Sequence, residues 1–205
     1  MTELENIFQG MADAIETAVG SIYNYEPHPK QLPFHQSADQ GRLFIGGNRS
    51  GKSVAGVTED IFWCGGIHPY RETPKPPIRG RVVGVDFING VQQILVPIFK
   101  KYIPLSMYKH GSWDQSFDKR ERVLEFRNGS FIEFKSYDQE LDKFAGTSRH
   151  FIHFDEEPPK DIFDECMMRL VDTGGQWWMT MTPVEGMTWV YEDLYKPNID
   201  EIEHV

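Results

Sequence analysis

The octapeptide Gly46-Gly47-Asn48-Arg49-Ser50-Gly51-Lys52-Ser53 matches the pattern G-x-x-x-x-G-K-[ST]. It follows a short apolar run, Leu43-Phe44-Ile45, that suits a strand, and it opens a segment from Lys52 to about Cys64 that suits a helix. A strand feeding a glycine-rich turn into a helix leaves few folds open. The glycines let successive backbone N–H groups turn inward on an anion, and the helix N-terminus adds positive potential. In that geometry Gly46, Gly47, Asn48, Arg49, Ser50 and Gly51 cradle the phosphates of a nucleotide, Lys52 bridges the β- and γ-phosphates, and Ser53 ligates Mg2+. With average residue frequencies the pattern arises by chance in roughly one chain of this length in a hundred.

The remaining pattern extends this unit into an alternating α/β chain. Residues 2–20 carry a capping box, Thr2 to Glu5, and an apolar stripe at Leu4, Ile7, Phe8, Met11, Ile15 and Ala18 that stops at Gly20. The stripe suits packing on a core; docking on a partner is the other reading. Pro27, Pro29 and Pro33 make a loop. Strands are expected at Arg81–Phe87, Phe151–Phe154 and Gln176–Thr182, and helices at about Asn89–Tyr102 and Lys160–Val171. Residues 123–134 read as a hairpin about Asn128-Gly129, in which Glu133 would share a face with Leu124, Phe126 and Phe131, so the alternation is not clean and a bulge or a different register is the alternative. A mainly parallel sheet flanked by helices follows, with residues 27–195 as the core, 1–26 as a helical lead-in and 196–205 as an acidic tail or the start of a linker.

Composition narrows the class. The chain has 205 residues, 40% hydrophobic and 25% charged, which excludes disorder as the main state. The net charge of −10 divides into −5 in residues 1–26 and −4 in 192–205, leaving −1 between them, so the middle can still face a polyanion. Cys64 and Cys166 are too few for a disulfide framework and suit a reducing compartment; no apolar run approaches a membrane helix. Trp177-Trp178 suit sheet-face packing, and the basic stretches Lys75–Arg81 and Lys119–Arg127 could touch DNA phosphates or form a solvated face. His150 and His153, three apart on a strand, point to opposite faces, which argues against one shared metal ion.

A nucleotide site also needs an acid on a neighbouring strand to hold the metal. Asp86 and Asp155 both follow apolar strands, but Glu156 follows Asp155 and supplies the carboxylate that a hydrolase needs to orient or deprotonate water. Glu157 is a spare. Taken together, Gly46–Ser53, the segment Phe151–Pro158 (FIHFDEEP), and Thr180-Met181-Thr182-Pro183 with Gly186 and Trp189-Val190-Tyr191 downstream resemble the ATPase domain of the large terminase subunit, the motor that packages DNA in tailed phages.

The resemblance spans roughly residues 28–195 and implies a P-loop NTPase of the additional-strand, catalytic-glutamate type, similar to RecA and helicases. It implies ATP and Mg2+ as cofactors, Lys52 and Ser53 on phosphate and metal, Asp155 on Mg2+ through water, Glu156 as catalytic base, and Thr180 and Thr182 on the motif that couples γ-phosphate state to motion. Thr182 is the better placed of the two because it abuts Pro183. His28-Pro29-Lys30-Gln31 resembles the family's adenine-reading segment, with Gln31 preferred and Gln36 in reserve. The family often carries an arginine four residues before the loop lysine; here that position is Asn48 and the arginine is Arg49, which puts a role in cis in doubt and leaves Arg49 free to hold a neighbouring carboxylate. A finger supplied in trans is sought at Lys143, Arg149 and Arg169.

What the family further implies is double-stranded DNA, the portal protein and the small terminase subunit as partners, a homo-oligomeric ring when assembled, and work in the host cytoplasm at the portal vertex of the procapsid. Its large subunits usually continue into a nuclease; this chain ends at Val205 without a later acidic triad, so no nuclease activity is expected of it. The rival readings are another helicase-like DNA-dependent ATPase and a nucleotide-gated docking module without significant turnover.

Overall fold

A computed structural model describes residues 2–8, 10–11, 21–183 and 188–197. Its sheet has seven strands: β1 (Gly41–Ile45), β2 (Arg79–Gly84), β3 (Phe117–Asp118), β4 (Val123–Glu125), β5 (Phe131–Ser136), β6 (Phe151–Asp155) and β7 (Gln176–Met181). Their order in space is β1-β7-β6-β2-β5-β4-β3. The first five run parallel, and β4 and β3 continue antiparallel from β5. β7 is thus an additional strand between β1, which leads into the glycine-rich loop, and β6, which ends in Asp155. The helices are α1 (Leu32–Gln36), α2 (Lys52–Gly65), α3 (Val96–Tyr102, entered through a π-wound stretch at Phe87–Leu95), α4 (Trp113–Ser116) and α5 (Lys160–Met168).

Side chains two apart share a face of a strand, and the two faces of this sheet are covered by different elements. Val82, Phe134, Phe151 and Trp178 pack with Ile61 and Trp63 of α2 and Phe99 of α3. Val83, Ile152, Phe154 and Met179 pack with Ile162, Phe163 and Cys166 of α5. All five residues of β6 are therefore buried, as its near-continuous apolar run requires. Trp178 stacks on Phe151 at 4.8 Å between ring centroids. Cys64 and Cys166 are buried thiols. No helix among the described residues is long and apolar enough to cross a membrane.

Two expectations need correction. At the N-terminus the capping box forms, with Thr2 N donating to Glu5 Oε2 and Glu5 N to Thr2 Oγ1, but Leu4, Ile7, Phe8 and Met11 are exposed and do not join the core. Ile15, Ala18 and Gly20 lie outside the described residues, as does Gly186. In the hairpin, Leu124 pairs with Ile132 and Val123 with Glu133. The turn is centred on Asn128, with Phe126 N donating to Ser130 O and Gly129 at φ 85, rather than between Asn128 and Gly129. This slip of one residue reverses the faces. Leu124, Phe126, Ile132 and Phe134 enter the core together, and Glu133 lies opposite, where Arg81, Lys135 and Arg149 meet it. Arg81 is buried in that ion pair and is withdrawn from any surface that could touch DNA.

Candidate nucleotide site

Because β1, β7 and β6 are parallel, their C-terminal ends reach one edge of the sheet, the edge at which open α/β folds bind ligands. The register sets Ile45 beside Met181 and Asp155 beside Thr180. The glycine-rich loop leaves β1 there. Gly46 N donates to Met181 O, Ser50 N to Gly47 O, and Gly51 adopts φ 83 to start α2. A side chain at Gly51 would be strained in that conformation and would meet Gln31 Nε2 at 2.8 Å. Gly47, Asn48, Arg49 and Ser50 are exposed, whereas Lys52 is buried.

Polar side chains from three elements converge on this edge. Ser53 Oγ donates to Asp155 Oδ1 at 2.9 Å, and Thr180 Oγ1 donates to the same oxygen at 2.9 Å. Lys52 Nζ lies 3.3 Å from Glu156 Oε1. Glu156 also accepts from Thr182 N at 2.6 Å and from Thr182 Oγ1 at 3.2 Å. Glu156 itself has φ 67, a left-handed conformation that costs a non-glycine residue on the order of 1 kcal/mol or more. It is held there by its N–H on Thr180 O and by Tyr137 Oη donating to its carbonyl at 2.8 Å. The turn swings the carboxylate off the line of β6 and onto Lys52. Tyr137 is half-buried, and burial of its hydroxyl, with Asp155 next, pushes it well above the usual range, so it remains a donor.

Beside the loop lies a cavity of about 640 Å³ lined by Tyr25, His28, Gln31, Gly51, Val54 and Tyr102, among others. Gln31 is buried at its rim. Its Nε2 donates to Gly51 O at 2.9 Å and its Oε1 accepts from His28 N at 2.7 Å, so both ends of the amide are engaged within the chain. Gln36 is exposed and does not line this cavity. A second cavity, about 510 Å³, opens against Glu156, Glu157, Thr182 and Trp189.

The other candidate residues are dispersed. Asp86 caps the stretch after β2 by accepting from Asn89 N. Arg49, at φ 63, forms no ion pair among the described residues. Arg149 is buried and paired with Glu133 at 2.7 Å, which leaves it unable to act as a projecting finger. Arg169 pairs with Glu165, and Lys143 is exposed beside Asp142. Thr180 is fully buried with its hydroxyl taken by Asp155 and His153, so of the two threonines it is Thr182 that stands at the open edge.

The sequence pattern does not single out the polar residues beneath the site. His153 Nδ1 lies 2.8 Å from Asp60 Oδ2 and its Nε2 lies 3.0 Å from Thr180 Oγ1. Glu59 accepts from His35, Arg42, Trp63, His68 and Arg71. The available signals were two acids within an otherwise apolar helix, and a histidine two residues before Asp155 and so on the same face of its strand.

Known proteins share this fold. The family described as "Terminase large subunit, T4likevirus-type, N-terminal" matches residues 108–203. The large terminase subunit of Salmonella phage P22 is 26% identical over an alignment covering 85% of this chain and 42% of that protein. The chain thus spans less than half the length of this curated relative. The large terminase ATPase domain of Thermus phage P74-26 superposes with a TM-score of 0.62 at 18% identity, covering 83% of this chain and 70% of that one. The large terminase of a second thermophilic bacteriophage, solved in complex with ADP, gives 0.58 at 15% identity over 84% of this chain and 42% of that one. These neighbours carry the RecA-like P-loop fold, which is the fold of this chain. Family model, curated relative and solved structures agree: the chain is similar to the large terminase subunits of phages over the region of their N-terminal ATPase domain.

Proposed function

We propose that this chain binds and hydrolyses ATP with Mg2+ and acts as the motor that drives double-stranded DNA into a procapsid. The observation that carries the reading is the convergence of Lys52, Ser53, Asp155 and Glu156 on one edge of the sheet, from α2 and the end of β6. The donor set suits the ion, because a serine hydroxyl and a carboxylate are hard oxygen ligands of the kind Mg2+ takes alongside phosphates and water. When bound, Mg2+ neutralises charge on the phosphates. The cavity lined by Tyr25 and Tyr102 adjoins Gly51 and is large enough for a nucleobase.

In this mechanism the loop's backbone N–H groups and Lys52 hold the phosphates, and Lys52 exchanges its contact with Glu156 for a phosphate oxygen. That exchange frees the Glu156 carboxylate to accept a proton from the attacking water. Thr182, on both oxygens of Glu156, keeps the carboxylate aimed and links its state to the end of β7. For Gln31 to read an adenine edge, its amide must release His28 N or Gly51 O. Arg49 is exposed on the loop, and Lys143 is the exposed candidate for a finger acting on a neighbouring subunit. The portal protein, the small terminase subunit and other copies in a ring are the proposed partners, with assembly at the portal vertex in the host cytoplasm.

Mg2+-ATP hydrolysis over a series of protein concentrations, beside Glu156→Gln and Lys52→Ala, tests the reading. Wild type should turn over with a specific activity that rises with concentration. Glu156→Gln should bind ATP without turnover, and Lys52→Ala should lose affinity. ATP bound equally by wild type and Glu156→Gln, with neither turning over at any concentration, would move the docking-module reading ahead.

A further inference from the structure

Beneath the site runs an unbroken series of polar contacts that the nucleotide reading does not use. Ser53 and Thr180 both donate to Asp155 Oδ1. Thr180 Oγ1 lies 3.0 Å from His153 Nε2, His153 Nδ1 lies 2.8 Å from Asp60 Oδ2, and Trp178 Nε1 donates to Asp60 Oδ1 at 3.1 Å. Asp60, His153, Trp178 and Thr180 are all completely buried. The series joins three elements: α2, which carries Ser53 and Asp60; β6, which carries His153 and Asp155; and β7, which carries Trp178 and Thr180. The glycine-rich loop lies at its open end.

Counting protons sets the direction of each bond. A threonine hydroxyl has one hydrogen, and an ionised Asp155 can only accept it. Thr180 must then accept from His153, which requires a hydrogen on Nε2. Asp60 holds the ring from its other side, and Trp178 holds Asp60. The packing leaves no slack: a methyl group at Gly56, one turn before Asp60 on α2, would collide with the His153 ring and meet the Thr180 methyl at 2.9 Å.

We infer that Asp60 and His153 are positioning residues for the metal-binding corner, fixing the Thr180 hydroxyl and through it the orientation of the Asp155 carboxylate and Ser53. The inference rests on the nucleotide reading above. Groups that orient ligands from behind typically carry 10–100-fold in metal affinity. Their removal should therefore be felt in the Mg2+-dependent part of nucleotide affinity, while the metal-free part, held by the loop and Lys52, stays.

The test is calorimetric binding of the β,γ-imido analogue of ATP to the full chain, once with Mg2+ and once with EDTA, with thermal unfolding of each variant in the absence of nucleotide as a folding control. Thr180→Val keeps the shape of the residue but cuts the series at its middle. It should reduce the gain in affinity conferred by Mg2+ about tenfold and leave the affinity in EDTA within about twofold. Thr180→Ser restores the hydroxyl and should restore the gain. His153→Gln places an amide donor where Nε2 stood and should retain most of the gain, whereas His153→Asn cannot reach Thr180 and should lose it, and Asp60→Ala should follow His153→Asn. Where a His153 or Asp60 variant does not fold, the Thr180 pair decides.

An unchanged Mg2+ gain in folded Thr180→Val overturns the inference. So does an equal fall of affinity in Mg2+ and in EDTA, which would mean a structural role only. Wild type that binds the analogue in neither condition would bring down the nucleotide reading, and the inference with it.

Discussion

Glu59 and Asp60 are consecutive on α2 and equally buried, yet their surroundings drive them in opposite directions. Burial alone raises the pKa of either acid. At Glu59, hydrogen bonds from His35 and His68 and the charge of Arg42 outweigh it, and the carboxyl sits well below its usual range. Arg42 lies 2.8 Å away and Arg71 3.0 Å. At Asp60 burial prevails: His153 offsets it only in part, Glu59 next door adds to it, and the carboxyl is pushed up to about 6. His153, for its part, is lowered by burial but raised further by Asp60, so its pKa ends above the usual imidazole value.

The difference separates two jobs on one helix. Glu59 ties α1, through His35, to β1, through Arg42, and to the segment holding His68 and Arg71. His35 lies 3.1 Å from Tyr25 Oη, and Tyr25 lines the cavity beside the loop. This side is a compensated charge cluster whose removal would strand several buried cations. The Asp60 side is a lightly compensated series leading to Asp155, and its links run through a histidine, a threonine and a tryptophan rather than an arginine.

The largest expected effect is therefore at Glu59. Glu59→Gln should cost about 3–5 kcal/mol of stability in urea unfolding, because Arg42 and Arg71 would be left buried without their counter-charge. An equal loss in Asp60→Asn would break the comparison. The pH dependence sharpens it. Glu59 has a folded pKa below its unfolded value, so its contribution is present above the unfolded pKa and fades as pH falls through the folded one. Asp60 has a folded pKa of about 6 against 3.8 unfolded, so the folded state binds more protons in that window and the contribution falls as pH rises through it. Subtracting each variant's pH–stability curve from that of wild type should give slopes of opposite sign.

Next in size, Gly56→Ala should cost about 1–3 kcal/mol, since the added methyl cannot fit against His153 and Thr180. A neutral result in thermal unfolding would show that β6 and α2 can separate without loss. Asp60→Asn should cost about 1 kcal/mol, the scale of one net hydrogen bond, because the amide retains contact with Trp178 and His153. Smallest is Tyr25→Phe, at about 0.5–1 kcal/mol, which removes a hydroxyl near His35 and Gln31 and should alter nucleotide affinity equally with and without Mg2+. A Mg2+-selective change there would erase the division between the two sides.

Much of the site was legible in the chain because its parts are local. The glycine-rich loop is eight consecutive residues between a strand and a helix, and Asp155-Glu156 follows a run too apolar to be anything but a buried strand. The hairpin shows where legibility stopped. Asn128-Gly129 marked the turn, but a loop longer by one residue moved Glu133 from the core face to the face of Arg81 and Arg149. Arg149 illustrates the same limit: a charge in the right segment looked available, and the fold committed it to Glu133.

The amino-acid order by itself determined the strand–loop–helix unit, the acids after β6 and the parallel architecture, since each depends on neighbours within one element and on the period of its side chains. Which polar groups meet was decided only in three dimensions. Asp60 and His153 are separated by 93 positions along the chain, and His153 and Thr180 by 27. Nothing local distinguishes them from ordinary helix and strand residues. They became one series because β7 inserts between β1 and β6 and brings α2 over that face, and because a buried polar group must find a partner wherever the packing places one.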